Sequence, residues 1–218
     1  MKRLMAGLAA VAVTVIVSVG YHAWWQANRD AQHMIDTAAA LIRDGQGPDR
    51  LGTGRLQTFL AVKDPSFLDH NGVDLLHPRP FRRTLTQALA HDNLSWRAPG
   101  LGGLQEVFYA VALDQRLPKS AQLALYLSRL PMGTDAVGEA VTGFFSASML
   151  IFDRAPDELD EAEFLTLLSA TLDPLPLQDA RAENLPEELL QRRQQLMAFL
   201  QGECPLSRPS QGLPESCI

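Results

Sequence analysis

No Asp, Glu, Lys or Arg occurs between residues 4 and 28, and the run Leu4 to Gly20 is almost wholly apolar. A helix needs about 20 such residues to cross a bilayer core, and Leu4 to Trp25 supplies them. Tyr21, Trp24 and Trp25 close the run, where amphipathic rings favour the lipid–water interface. Past this point the pattern changes to helical stripes separated by breakers. Met34, Ile35, Ala38, Ala39, Leu41 and Ile42 mark one face of a helix over Ala27 to Arg43, ended by the turn-forming Asp44 to Pro48. Arg55 to Val62 reads as a second, shorter helix, and Thr84 to Ala90 as the start of a third after the breakers Pro78 and Pro80. Leu104, Val107, Phe108, Val111 and Ala112 recur at the spacing of an amphipathic helix. Further helices are predicted over Lys119 to Leu130, Val137 to Leu150, Glu158 to Leu172 and Pro186 to Leu200. Strand alternation is nearly absent, so the fold class is mainly α, a helical domain behind an N-terminal transmembrane helix.

This pattern divides the chain into a cytoplasmic stub and anchor (1–26), one folded helical domain (27–200) and a tail rich in Pro and Gly (201–218). Lys2 and Arg3 precede the apolar run, and basic flanks stay inside. A single-pass protein of the inner (cytoplasmic) membrane is expected, with its domain on the periplasmic or outer face. A signal peptide cleaved after Gly20 is the alternative, because Ser18 and Gly20 are small, and it exports the domain equally. The tail carries both cysteines of the chain, Cys204 and Cys217. In an oxidising compartment they are expected to close a short disulfide loop, worth on the order of 3 kcal/mol in the chain-entropy model. With no histidine near them, they do not suggest a metal site.

Composition narrows the ligand classes. Charged residues are 20% and hydrophobic residues 46%, ordinary for a globular chain. A net charge of -6 argues against a general nucleic-acid binder, so an anionic ligand must be met by a local basic patch. The densest polar run is Ala61 to Gly72, AVKDPSFLDHNG, which holds Lys63, Asp64, Asp69 and His70. The run Thr84-Leu85-Thr86-Gln87 follows, then Glu106 on its amphipathic helix, then Lys119 and Tyr126-Leu127-Ser128-Arg129.

In order and content these groups resemble the glycosyltransferase family 51 domain, the peptidoglycan transglycosylase of class A penicillin-binding proteins and monofunctional transglycosylases. The family's first motif reads Glu-Asp, two residues, Phe, two residues, His, one residue, Gly. Here Asp64, Phe67, His70 and Gly72 match, and Lys63 stands where the glutamate belongs. The second motif, Gly-Gly-Ser-Thr-(Ile/Leu)-Thr-Gln-Gln, is met by Phe81 to Ala88 with only Thr84, Leu85, Thr86 and Gln87 intact. The third, Arg-Lys-x-x-Glu, becomes Gly102-Gly103-Leu104-Gln105-Glu106, and the Tyr-Leu-Asn-Arg segment becomes Tyr126 to Arg129. The likeness runs from about Arg55 to Leu200 in the layout of the monofunctional form.

The resemblance implies a lysozyme-like helical fold, a membrane anchor and a lipid-linked disaccharide-peptide substrate carrying a pyrophosphate, with other cell-wall synthesis proteins as further partners. It implies a carboxylate base for the acceptor sugar hydroxyl, and polar or basic side chains on the pyrophosphate, sometimes with a divalent cation, Mg or Mn. Carried over by position, the substrate-binding set is Arg82, Arg83, Thr84, Thr86, Gln87, His91, Lys119 and Arg129, with His91 at the place of the family's donor-side lysine. A protonated lysine, with an ordinary pKa of about 10.4, cannot take the proton. Lys63 beside Asp64 therefore reads as an ion pair or a phosphate contact, and Asp64 or Glu106 as the substitute base. Thr84 and Thr86 also fit helix caps, His70 a turn cap and Glu106 a solvated charge. Three readings stay open: a degenerate transglycosylase that binds precursor or glycan, an active enzyme using Asp64 or Glu106, and an envelope interaction protein without a ligand.

Overall fold

The computed structural model describes residues 2–74, 83–135, 137–172, 175–176 and 185–203. Their elements are α1 (Lys2–Arg43), a short 3-10 turn (Pro48–Leu51), α2 (Thr53–Lys63), α3 (Leu85–Asn93), α4 (Gly102–Asp114), α5 (Lys119–Arg129), β1 (Pro131–Thr134), β2 (Ala140–Thr142), α6 (Phe144–Phe152), α7 (Glu161–Ala170), β3 (Leu175–Pro176) and α8 (Glu187–Leu200). The fold is mainly helical, as the periodicity requires. Internal contacts fall into two compact units, one of Met1–Arg43 with Leu60–Tyr126, the other of Asp44–Phe59 with Leu127–Ile218.

The first unit is built on α1. The apolar run and the stripe beyond it are one helix of 42 residues, because no proline or turn signal separates them. At 1.5 Å per residue it is about 60 Å long. Its first half is long and apolar enough to cross a membrane, and only 6% of that window is covered by the rest of the protein. Further along, Ala23, Ala27, Ala31, Met34 and Ala38 are all buried, each three or four residues after the last. Small side chains at this spacing let α4 lie close, and a Cβ at Gly20 would sit 3.3 Å from the Phe108 ring. Leu89, Ala90, Tyr109, Ala110, Leu113, Leu117 and Leu125 complete this core. Tyr109 Oη donates to Asp30 Oδ2 at 3.0 Å, a polar bond between α4 and α1.

The second unit holds a three-stranded sheet in the order β2-β1-β3, with β1 antiparallel to β2 and parallel to β3. Phe144 lies edge-on to Phe59 and Phe164, at 5.7 and 5.9 Å between ring centroids. Arg55 donates to the Pro156 and Leu159 carbonyls.

The sheet corrects one sequence expectation. Val137 to Leu150 is not a single helix, since β2 occupies its first part and α6 begins only at Phe144. The Asp135 carboxylate accepts from the Val137 and Glu139 amides at 3.0 and 2.8 Å, a side-chain turn that competes with helix. Gly138 at φ 83° and Gly143 at φ 99° then take backbone conformations that a helix excludes. A Cβ on Gly143 would also meet the Ser128 carbonyl oxygen at 3.1 Å. Gly143→Ala is therefore expected to destabilise the protein by about 1–3 kcal/mol. The measurement is the urea unfolding midpoint, and an unchanged midpoint removes the argument.

Candidate functional site

The site is assembled within the first unit from the α2–α3 connection, the start of α3, both ends of α4 and the start of α5. Asp64 follows α2 directly, with its side chain 5% exposed. One oxygen, Oδ2, accepts from His70 Nε2 at 2.9 Å and from the Leu85 amide at 2.9 Å. The Gly72 amide points at His70 Nδ1 from 3.1 Å, so Nδ1 is the acceptor and the proton of this pair sits on Nε2, facing Asp64. Leu85 is the first residue of α3, so the carboxylate lies at the positive end of a helix and satisfies one of its unpaired amides.

Thr84 completes that helix start. Its hydroxyl donates to the Gly72 carbonyl at 2.6 Å and accepts from the Gln87 amide at 3.0 Å, while Gln87 Oε1 accepts from the Thr84 amide at 3.1 Å. This is a capping box. Thr86, fully buried, donates to Gln122 Oε1 at 2.7 Å. Gln122 Nε2 in turn donates to Asp114 Oδ1 at 2.9 Å, and Lys119 Nζ donates to the same oxygen at 2.7 Å and to the His70 carbonyl at 2.8 Å. The Lys119 ammonium also stands 4.6 Å from the centre of the Phe67 ring. The contacts thus close a ring from Asp64 through His70, Lys119, Asp114, Gln122 and Thr86 back to the start of α3.

Gly72 lets that ring close. At φ 85° it passes so near α4 that a Cβ would lie 2.5 Å from the Ala110 carbonyl oxygen. Asp64, Phe67, His70 and Gly72, the residues by which the first motif is recognised, therefore each have a packing or hydrogen-bonding reason to be present.

A second cluster surrounds Glu106 on α4, whose side chain is only 7% exposed. Arg83 Nε donates to Oε1 at 2.7 Å, His91 Nδ1 lies 2.9 Å from Oε2, and Arg97 Nη1 lies 3.9 Å from Oε2. Arg97 also reaches His91, with Nη1 2.8 Å from Nδ1 and Nη2 donating to the backbone carbonyl at 2.6 Å. A single ring nitrogen can donate to the carboxylate or accept from the guanidinium, not both. Two permanently charged guanidinium groups thus face one carboxylate. The Arg83 and Arg97 side chains are 51% and 41% exposed, which leaves surplus positive charge where solvent reaches it.

The structure places the remaining sequence-derived residues as follows. Lys63 is the last residue of α2 and is half-buried. Thr86 and Lys119 belong to the ring, Thr84 and Gln87 to the capping box of α3, and Arg83 and His91 to the Glu106 cluster. Arg129 ends α5 and belongs to the second unit. Arg82, Cys204 and Cys217 lie outside the described residues. Among the described residues, no group of three or more His, Cys, Asp or Glu side chains is placed to hold a metal ion. The oxygens of Glu106 face the cationic donors Arg83 and His91.

Sequence reasoning missed Arg97 and Gln122. Arg97 lies in the connection between α3 and α4, where no periodicity marks it. Gln122 offered one signal, a polar residue among the apolar positions Ala121, Leu123, Ala124 and Leu125 of α5.

The transglycosylase family profile matches residues 83–201. Penicillin-binding protein 1A of Escherichia coli (strain K12) is 28% identical over 125 residues, 51% of this chain and 14% of that protein. Penicillin-binding proteins 1B of two Buchnera aphidicola strains are each 29% identical. One match spans 127 residues, 52% of this chain and 17% of the relative. The other spans 154 residues, 58% of this chain and 20% of the relative. Each match thus spans a fifth or less of the relative's length.

Replacing His70 by Phe keeps the ring volume and removes both hydrogen bonds, leaving a buried carboxylate short of a donor. A loss of about 1.5–3 kcal/mol is expected. Chemical denaturation of His70→Phe against the parent chain measures it, and equal stabilities contradict the role given to the ring.

Proposed function

The chain belongs to the transglycosylase family, glycosyltransferase family 51, and we propose that it is a membrane-anchored member that binds lipid-linked peptidoglycan precursor or glycan with lost or weak polymerase activity. The observation that carries this reading is that the two carboxylates that could replace the lost base, Asp64 and Glu106, are already engaged by protein donors. Lys63 stands where the family's glutamate would remove a proton. A general base needs a lone pair within about 2.6–3.2 Å of the hydroxyl it activates. Asp64 is buried with Oδ2 held by His70 and Leu85, and the oxygens of Glu106 are directed at Arg83 and His91. Donors of the protein thus already engage both carboxylates, and both side chains are buried.

Binding has more support than chemistry. Guanidinium groups match phosphate oxygens in pairs, and Arg83 and Arg97 present two of them, partly exposed, beside His91. They supply cations near Glu106 although Gly102 and Gly103 replace the family's Arg-Lys pair. The precursor's pyrophosphate is the group such a cluster would hold, and its lipid tail would lie in the membrane that α1 enters. The domain would then lie on the periplasmic or outer face, among other cell-wall synthesis proteins.

An active enzyme using Glu106 is the second reading. It is favoured by the exposure of Arg83 and Arg97, because an anionic ligand could draw both off the carboxylate and free it.

Polymerisation of purified lipid-linked precursor by the full chain in vesicles separates the two. The expected result is precursor binding with little or no glycan polymer, whereas polymer formation abolished by Glu106→Gln sinks the first reading. Arg83→Ala and Arg97→Ala should each weaken precursor binding about tenfold, the equivalent of one charge-assisted hydrogen bond. Lys63→Glu tests the base alone. Polymer gained by that single change identifies the missing carboxylate as the only defect, and none gained assigns part of the defect to the altered cations.

A further inference from the structure

We propose that Trp96, in the connection between α3 and α4, is a second membrane contact, and that with Tyr21 to Arg29 of α1 it forms a collar seated in the lipid headgroup region. Trp96 is distant in sequence from the anchor and lies in no apolar run, so hydropathy does not mark it.

The level of the bilayer surface follows from α1. Counting about 20 residues from Leu4 brings a membrane-spanning helix to its far boundary near Ala23. Tyr21, Trp24 and Trp25 are exposed by 65%, 44% and 48% on that part of α1. Trp96 is held at the same level, its ring edge-on to His22 at 5.4 Å between centroids and 75° between planes. It is itself 51% exposed. Gln26 ties the connection down, donating to the Asn93 carbonyl at 3.3 Å and to Ser95 Oγ at 3.0 Å. An exposed indole is poorly suited to water but favoured at the headgroup level, where its apolar body and N–H each find a partner. Arg29 adds the matching charge. Its guanidinium lies 5.0 Å from the centre of the Trp25 ring, with Nε 3.2 Å from Asp30 Oδ1 and the side chain 56% exposed, one helical turn beyond Trp25, where lipid phosphates attract cations.

Two unsatisfied polar atoms lie beneath the Trp96 contact. Among the described residues, His22 Nδ1 and Gln26 Oε1 are the buried side-chain polar atoms without a hydrogen-bond partner. They lie one helical turn apart on α1, and Gln26 is only 1% exposed. Buried polar atoms are normally satisfied.

The chain has only three tryptophans, so Trp24→Phe with Trp25→Phe leaves Trp96 as the sole indole in the full chain. This variant is reconstituted in phosphatidylethanolamine–phosphatidylglycerol vesicles containing lipids brominated near the headgroup or deep in the acyl chain. Trp96 emission is expected to be blue-shifted and resistant to aqueous acrylamide, and quenched more by the shallow bromines than by the deep ones. Emission quenched freely by acrylamide and untouched by bromines would falsify the docking. Shielding from acrylamide without bromine quenching also overturns it, because a protein then covers Trp96 instead of lipid. If the double variant misfolds, Trp96→Phe in the otherwise native chain reads the same quantity by difference, as a loss of shallow-quenched emission. No loss there overturns the proposal as well. The outcome does not depend on whether the Glu106 site is active.

Discussion

One carboxylate oxygen organises the first unit. Asp64 Oδ2 accepts from His70 Nε2 and from the first amide of α3, and each bond fixes a different piece of chain. The imidazole holds the α2–α3 connection folded back on itself, through the Gly72 amide on its other nitrogen. The amide bond sets where α3 begins, and the capping box of Thr84 and Gln87 then fixes its direction. Because the oxygen is buried, losing either donor leaves an acceptor in a medium that cannot hydrate it, which costs more than the bond itself contributes. The arrangement is therefore stable only as a whole, and the ring through Lys119, Asp114 and Gln122 ties it to α4 and α5.

That constraint separates what identifies the chain from what its site can do. Asp64, Phe67, His70 and Gly72 keep the family spacing because the ring and the approach to Ala110 require them. The position before Asp64 is different. Lys63 ends α2 and is half-buried. A recognisable motif and an altered reacting group thus coexist in this chain. A motif match of this kind reports the fold before it reports catalysis.

Much of the architecture was legible in the sequence wherever a long period was present. The apolar stretch of α1 and the stripes of α4, α5 and α8 needed only spacing to be read. The hairpin of β1 and β2 was not legible, because Gly138, Gly143 and the Asp135 turn act through backbone angles that apolar periodicity does not encode. The anchor and the helix after it read as two elements, since composition changes at Arg29 while the backbone does not. Within the site, Glu106 was found by motif position, but its pairing with Arg97 depends on a loop without pattern.

The connection between α3 and α4 shows how neighbouring residues can serve opposite surroundings. Gln105 on α4 is fully buried, accepts from the Ala98 amide at 2.8 Å and donates to the Trp96 carbonyl at 3.0 Å. It thereby pins the backbone on both sides of Arg97. With the backbone held, the Arg97 guanidinium reaches His91 and Glu106, while Trp96 packs on His22 of α1. Gly102 and Gly103 bring no charge to Glu106 from its own helix, and a buried carboxylate needs partners. Arg83 and Arg97 supply them from the two segments flanking α3. The cations at this carboxylate thus come from loop positions, that of Arg97 fixed by α4. Because Gln105 holds the Trp96 carbonyl and the Ala98 amide together, the positions of the Trp96 ring and the Arg97 guanidinium are coupled.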